Sequence, residues 1–122
     1  MAKKKREKEF WFHEVRLVRV IDGDTAVFSI DVGFDFHTEQ TVRFYGINAP
    51  EVTGKEKKAG LRSTQWVKDQ FKKARQIVLR TYKRGKFGRI VADIYLKYPG
   101  QEGMTNLCHY MAMEGYAKPQ KY

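Results

Sequence analysis

Only one cysteine, Cys108, occurs in the 122 residues. No internal disulfide can form, so the chain must be held by its core. A lone Cys in an apolar helical stretch reads as a small core residue. No apolar run is long enough to span a bilayer. The N-terminal M-A-K-K-K-R-E-K-E is charged, but the F-W-F after it breaks at His13 and Glu14, so no secretory signal is read. Together these absences predict an intracellular, cytoplasmic protein without a membrane partner. His13, His37 and His109 do not cluster, so no histidine metal site is expected. There are no internal repeats and no second domain.

Acidic residues are also few. Against 14 Asp and Glu stand 24 Lys and Arg, a net charge of +10. An excess of that size in a small domain predicts a polyanionic partner. Nucleic acid is the first candidate, and a membrane surface or acidic protein the second. Apolar residues make up 42%, enough for one packed domain and too many for a disordered chain. The expectation is a disordered basic arm over residues 1–9 and a single, monomeric domain over 10–122.

The stretch T-V-R-F-Y-G-I-N-A-P-E, residues 41–51, carries the most chemistry. Val42 and Phe44 alternate with Thr41, Arg43 and Tyr45, which predicts a strand from about Gln40 to Tyr45 with one apolar face. Gly46 loosens the strand, and Pro50 forces Ala49 into an extended conformation. A guanidinium on the strand, a carboxylate just past its end and oxygen donors between them suit phosphodiester chemistry. Taken alone, the same stretch also reads as a surface strand with solvated charges.

Alternation predicts two earlier strands, His13 to Ile21 and Thr25 to Asp31, joined by a turn at Asp22-Gly23-Asp24. In the first, Val15, Leu17 and Arg19 share one parity and Val18 and Val20 the other. In the second, Ala26, Phe28 and Ile30 share a face. Residues 33–39 read as a polar and aromatic loop. A helical period runs from the charged segment after Gly54 to about Arg75. Its apolar face is Ala59, Ser63, Trp66, Val67, Gln70, Phe71 and Ala74, with lysines opposite. Gln76 to Tyr82 and Ile90 to Tyr98 are further strands, separated by the basic turn Lys83-Arg84-Gly85-Lys86. Asn106 to Glu114 is a short helix presenting Leu107, Tyr110, Met111 and Met113. Asn106 or Thr105 is its N-cap and Gly115 its C-cap. This order predicts an α+β, mainly β, fold: a five-stranded Greek-key barrel of the OB type with one long and one short packed helix.

Three stretches offer chemistry. Asp22-Gly23-Asp24 is ordinary turn chemistry, but two carboxylates there also begin a hard-cation site. Asp24 would ligate directly, with Asp22 behind it orienting waters or backbone. Arg43 through Glu51 is the second. Lys86-Phe87-Gly88-Arg89 is the third, where cations around a glycine permit close phosphate approach.

V-I-D-G-D-T at 20–25, V-R-F-Y-G-I-N-A-P-E at 42–51, G-K-F-G-R-I-V-A-D-I-Y at 85–95 and N-L-C-H-Y-M-A-M-E-G-Y-A at 106–117 occur in that order. In this the chain resembles the staphylococcal nuclease family from about Val18 to Lys118. The resemblance implies an OB-fold barrel and Ca²⁺-dependent hydrolysis of DNA and RNA. By position it implies Asp24 as a direct metal ligand, Asn48 at the place of a second ligand carboxylate, and the Ala49 carbonyl as a backbone ligand. It implies Arg43 and Arg89 as phosphate clamps, and Glu51 as the group that orients or deprotonates water. Lys86 and Phe87 would flank the nucleotide. Tyr116 and Tyr122 are candidates for base stacking, although Tyr116, directly after the Gly115 cap, reads better as a packed core residue.

The departures from the family pattern are informative. Asn48 removes one negative charge, so Ca²⁺ should bind more weakly than is usual, with Mg²⁺ or Mn²⁺ as alternatives. Phe87 keeps a stacking face but loses a hydroxyl. The chain stops at Tyr122, before the family's last helix. Two rival readings stay open: a nucleic-acid-binding module without catalysis, and a protein-interaction module using the Phe34 to Phe36 loop. Asp93, inside the last strand, reads as structural.

Overall fold

The computed structural model describes residues 11–84 and 89–120. Both the expected N-terminal arm and the Gly85 to Gly88 part of the basic segment lie outside them. Among the described residues eight strands and two α-helices occur in order: β1 (Trp11–Asp22), β2 (Thr25–Gly33), β3 (Phe36–Phe44), β4 (Ile47–Asn48), α1 (Lys57–Lys73), β5 (Gln76–Arg84), β6 (Ile90–Lys97), β7 (Thr105–Asn106), α2 (Leu107–Met113) and β8 (Lys118–Pro119). A short 3₁₀ turn, Gly54–Glu56, leads into α1. The sheet order is β3-β2-β1-β5-β6-β7, and a parallel pairing of β3 with β6 closes the first five into a barrel. This is the OB-type barrel with two helices that the element order predicts.

Alternation decides which side chains fill the barrel. Ala26, Phe28, Val42 and Phe44 are fully buried, as are Leu79, Ala92, Ile94 and Leu96 across the other strands. Each such large side chain contributes about 1.5–3 kcal/mol by burial. The α1 helix closes the interior with its apolar stripe. Val67 is fully buried, and the Phe71 ring meets Phe28 and Phe44 edge-on at 5.7 and 6.4 Å.

The first strand departs from simple alternation. Leu17 pairs with Phe28 and Arg19 with Val27, so Val18 is an extra residue. Val20 then pairs with Ala26 and Asp22 with Thr25, so Ile21 is a second one. These two bulges turn Val18 and Ile21 outward, while Val20 packs on the core. Val18 and Val20 therefore do not share a side, contrary to the parity in the sequence. Bulges increase strand twist and re-aim the residues beyond them, here the Asp22 to Asp24 turn.

The expected loop over 33–39 is instead most of a hairpin. The second and third strands run to a two-residue turn at Phe34-Asp35, both with positive φ (54° and 65°). Such a turn matches strand twist, and the residues after it are strand-compatible. Gly33 and Asp35 gave the segment its loop-like look. The hairpin projects: pairing to β1 ends at Val15–Ile30, and pairing to β6 begins at Val42.

The second helix keeps both predicted caps. The Asn106 side chain accepts from the His109 N–H at 3.1 Å. At the other end Tyr116 N donates to Met111 O and Gly115 N to Ala112 O, with Gly115 at φ 84°, a Schellman ending. Leu107, Cys108 and Met111 are buried, but Met113 is 71% exposed and does not pack as expected. Burial pushes the Cys108 thiol up to about 12.

Two glycines allow the elements to close. A Cβ on Gly60 would stand 2.0 Å from the Glu51 carbonyl oxygen, and one on Gly23 within 2.8–2.9 Å of Ala49 and Ser63. Gly60→Ala should therefore destabilise the domain by about 3 kcal/mol, since a packed backbone must shift. Thermal unfolding followed by circular dichroism checks this. Cys108 should stay silent to a thiol reagent until the chain unfolds; rapid reaction of the native protein would contradict its burial.

Candidate phosphodiester site

The site is built around one buried carboxylate. Asp24 comes directly after the turn glycine and is 8% exposed. A buried carboxylate needs donors to offset its lost hydration, and Asp24 has three. Thr25 Oγ1 donates to Oδ1 at 2.9 Å, the Ala49 N–H donates to Oδ2 at 2.8 Å, and Arg43 Nη1 lies 3.3 Å from Oδ2. The backbone reinforces the junction, because Phe44 N donates to Asp24 O at 2.8 Å. Asp22 accepts from the Asp24 N–H at 3.0 Å and so shapes the turn. Burial pushes the Asp22 carboxyl up to about 6 and its contact with the Asp24 side chain adds to the rise; the Asp24 N–H and then Arg43 oppose it.

Arg43 extends from the outer face of β3, opposite in parity to Val42 and Phe44. Its Nη1 also donates to the Phe44 carbonyl at 3.3 Å, and its Nη2 to Asn48 Oδ1 and Gln120 Oε1, both at 3.2 Å. The guanidinium is thus fixed in orientation by acceptors from the turn, the strand, the adjoining loop and the chain's last described residue. Pairing of Ile47–Asn48 with Lys118–Pro119, extended by Gln120 N to Gly46 O at 2.8 Å, delivers Gln120 to this place.

Glu51 is exposed, three residues beyond Asn48. Its N–H donates to Glu56 Oε1 at 3.1 Å, and its carbonyl lies against Gly60. The loop carrying the carboxylate is therefore tied to the first turn of α1. Arg89 directly precedes Ile90, which lies opposite Val42, while Val91 lies opposite Arg43. Arg89 thus stands at the start of β6, beside the strand that carries Arg43.

Asp24, Arg43, Asn48 and Ala49 are thus brought into direct contact, and Glu51 and Arg89 flank them along the chain. Lys86, Phe87 and Tyr122 lie outside the described residues. Tyr116 is differently employed. Its ring stacks on Trp66 at 4.9 Å, and its carbonyl accepts from Ser63 Oγ at 2.6 Å. The ring therefore packs on the core, as its place after the Gly115 cap suggests, and one of its faces is closed to a base. Asp93 is structural as expected: it is buried and accepts from Tyr82 Oη at 2.6 Å.

Sequence reasoning missed Gln120, Thr25 and Gly60. A lone glycine inside a helical pattern is a packing signal; nothing in the sequence marks Gln120. Two surface cavities of about 540 and 420 Å³ flank α2, sharing Asn106, His109 and Met113. Neither is lined by Asp24, Arg43 or Glu51.

The closed barrel with its two packed helices defines an OB-fold domain. The chain belongs to the staphylococcal nuclease homologue family, whose model matches residues 41–122. No curated protein matches it. The match takes in Arg43, Asn48, Glu51 and Arg89; Asp24 joins them through its contacts. No helix among the described residues is long and apolar enough to cross a membrane.

The Asp24–Arg43 pair has a measurable signature. Both side chains are 12% exposed, so Arg43→Met should destabilise by about 3 kcal/mol by leaving Asp24 unpaired. Adding Asp24→Asn should recover part of that loss. Additive single effects in a double-mutant cycle would contradict the pairing.

Proposed function

We propose that the protein is a nuclease that hydrolyses DNA or RNA phosphodiester bonds, with Arg43 and Arg89 clamping the phosphate and Glu51 orienting or deprotonating the attacking water. The observation that carries this reading is the anchored guanidinium of Arg43, set between Asp24 and the loop that leads to Glu51. A phosphodiester gathers negative charge on its equatorial oxygens as it reacts. Preorganised guanidiniums stabilise that charge without having to reorganise at the moment of reaction. In the free protein Arg43 Nη2 rests on two neutral amides, Asn48 and Gln120. A phosphate oxygen is the stronger acceptor for those N–H groups and would displace them. Glu51 is exposed and can reach water, while its backbone is held by α1.

The donor set suits a hard divalent cation. Asp24 Oδ2 and Asn48 Oδ1 both lie against one positive group, and the Ala49 N–H donates to Asp24 Oδ2. The carboxylate and the amide oxygen are ligands of the kind Ca²⁺, Mg²⁺ and Mn²⁺ take. The charge is low. Among the described residues no three His, Cys, Asp or Glu gather at one point, and Arg43 already balances Asp24. Asp24, Asn48 and the Ala49 carbonyl would hold the ion, with Asp22 shaping the turn behind them. When bound, it supplies polarisation of a phosphoryl oxygen and a lowered water pKa.

The neutral amides favour one rival, a module that binds nucleic acid without cutting it. Digestion of single-stranded DNA separates the two. Cleavage should need a divalent cation, stop in EDTA, and fall on the order of 10²-fold or more in Glu51→Gln. Binding without cleavage under every metal would establish the rival. In calorimetry, Asn48→Asp should strengthen Ca²⁺ binding; unchanged affinity would remove position 48 from the ligand set.

A further inference from the structure

We infer that the outer face of α1 is a phosphate track that carries the polynucleotide away from the cleavage site. The inference rests on the nucleic-acid reading above and narrows it to long substrates. Lys57, Lys58, Arg62, Lys68, Lys72 and Lys73 are all exposed. At 3.6 residues per turn they fall within an arc of roughly 160° and span roughly 24 Å of helix. The opposite side buries Gly60, Ser63, Thr64, Val67, Gln70 and Phe71.

A helix face built only to be solvated interleaves the two signs of charge. Here Lys58 and Arg62, and Lys68 and Lys72, stand four apart, where like charges repel. The single acid on the arc, Asp69, accepts from Gln65 Nε2 at 2.9 Å. None of the six cations forms an ion pair among the described residues. An arrangement that repels itself when free is relieved by a row of phosphates. The arc offers only one exposed apolar residue, Leu61, so it has no face to insert into lipid.

Placement agrees with this reading. The track starts where the site ends, since Glu56 holds the Glu51 N–H and Gly60 packs on the Glu51 carbonyl. On the projecting hairpin the charge is reversed. From Ile21 through Val42 there is no Lys or Arg, and the projecting hairpin carries Asp31, Asp35 and Glu39. A polyanion is repelled from the hairpin and drawn to the helix.

The test is fluorescence anisotropy of a labelled 20-nucleotide single strand in EDTA, at a series of salt concentrations. Lys58→Gln/Arg62→Gln/Lys68→Gln/Lys72→Gln should weaken binding roughly tenfold or more and make the log–log salt slope shallower by roughly 3. A version with Lys58, Lys68 and Lys72 all changed to Arg should keep the wild-type slope. Binding of a dinucleotide should be the same in all three proteins. An unchanged slope in the four-site variant, with thermal unfolding intact, overturns the track while leaving the site reading in place. No binding of the strand by the wild-type chain overturns both. Capture by phosphatidylserine vesicles in preference to the strand would make the face a membrane contact instead.

Discussion

A carboxylate shut away from water cannot stand without donors, and Asp24 draws its donors from separate parts of the chain. One is the neighbouring threonine, one is the backbone of the loop after β4, and one is a guanidinium on β3. Losing any of them would leave charge uncompensated in a low-dielectric place. The same bonds that satisfy Asp24 therefore fix the Asp22–Asp24 turn against the strand and against the loop that leads to Glu51. Gly23 and Gly60 make the closeness possible, because a side chain at either would collide with the elements being joined.

From that junction the functional arrangement emerges. Arg43 is presented in one orientation, with its outer nitrogen resting on the exchangeable amides of Asn48 and Gln120. Uncharged partners of that kind orient the outer nitrogen while Asp24 pairs with the inner one; on the proposed reading they give way to a phosphate oxygen. The exposed loop beyond Pro50 is braced by α1, and that helix turns its cations outward. On the proposed reading, attraction for a polymer and the positioning of one phosphate sit on neighbouring elements.

Much of this was legible in the sequence, because periodicity is a direct record of burial. Ala26, Phe28 and Ile30, then Val42 and Phe44, fill the barrel as their alternation predicts. Asn106 and Gly115 end α2 as their chemistry requires. The motif residues Asp24, Arg43, Asn48 and Ala49 do meet. Phase and pairing were not legible. The extra residue at Val18 reverses the sides taken by Arg19 and Val20, and only the partner strand reveals it. The hairpin past Asp31 is exposed, so its side chains lack the apolar signal that marks a strand. The contact of Gln120 with Arg43 joins residues far apart in the chain through a two-residue pairing. That Tyr116 packs is legible from its place after the Gly115 cap; that Trp66 is the ring it stacks on is not.

On the proposed reading, a phosphodiester is received at the Asp24–Arg43 junction. Nitrogen-15 chemical-shift mapping with a dinucleotide in EDTA tests it most directly. The account predicts shifts concentrated at the Thr25 and Ala49 amides, the Arg43 Nε–H and the Gln120 side-chain amide. Shifts confined instead to the groove along α2, at Tyr98, Asn106 and His109, would contradict it.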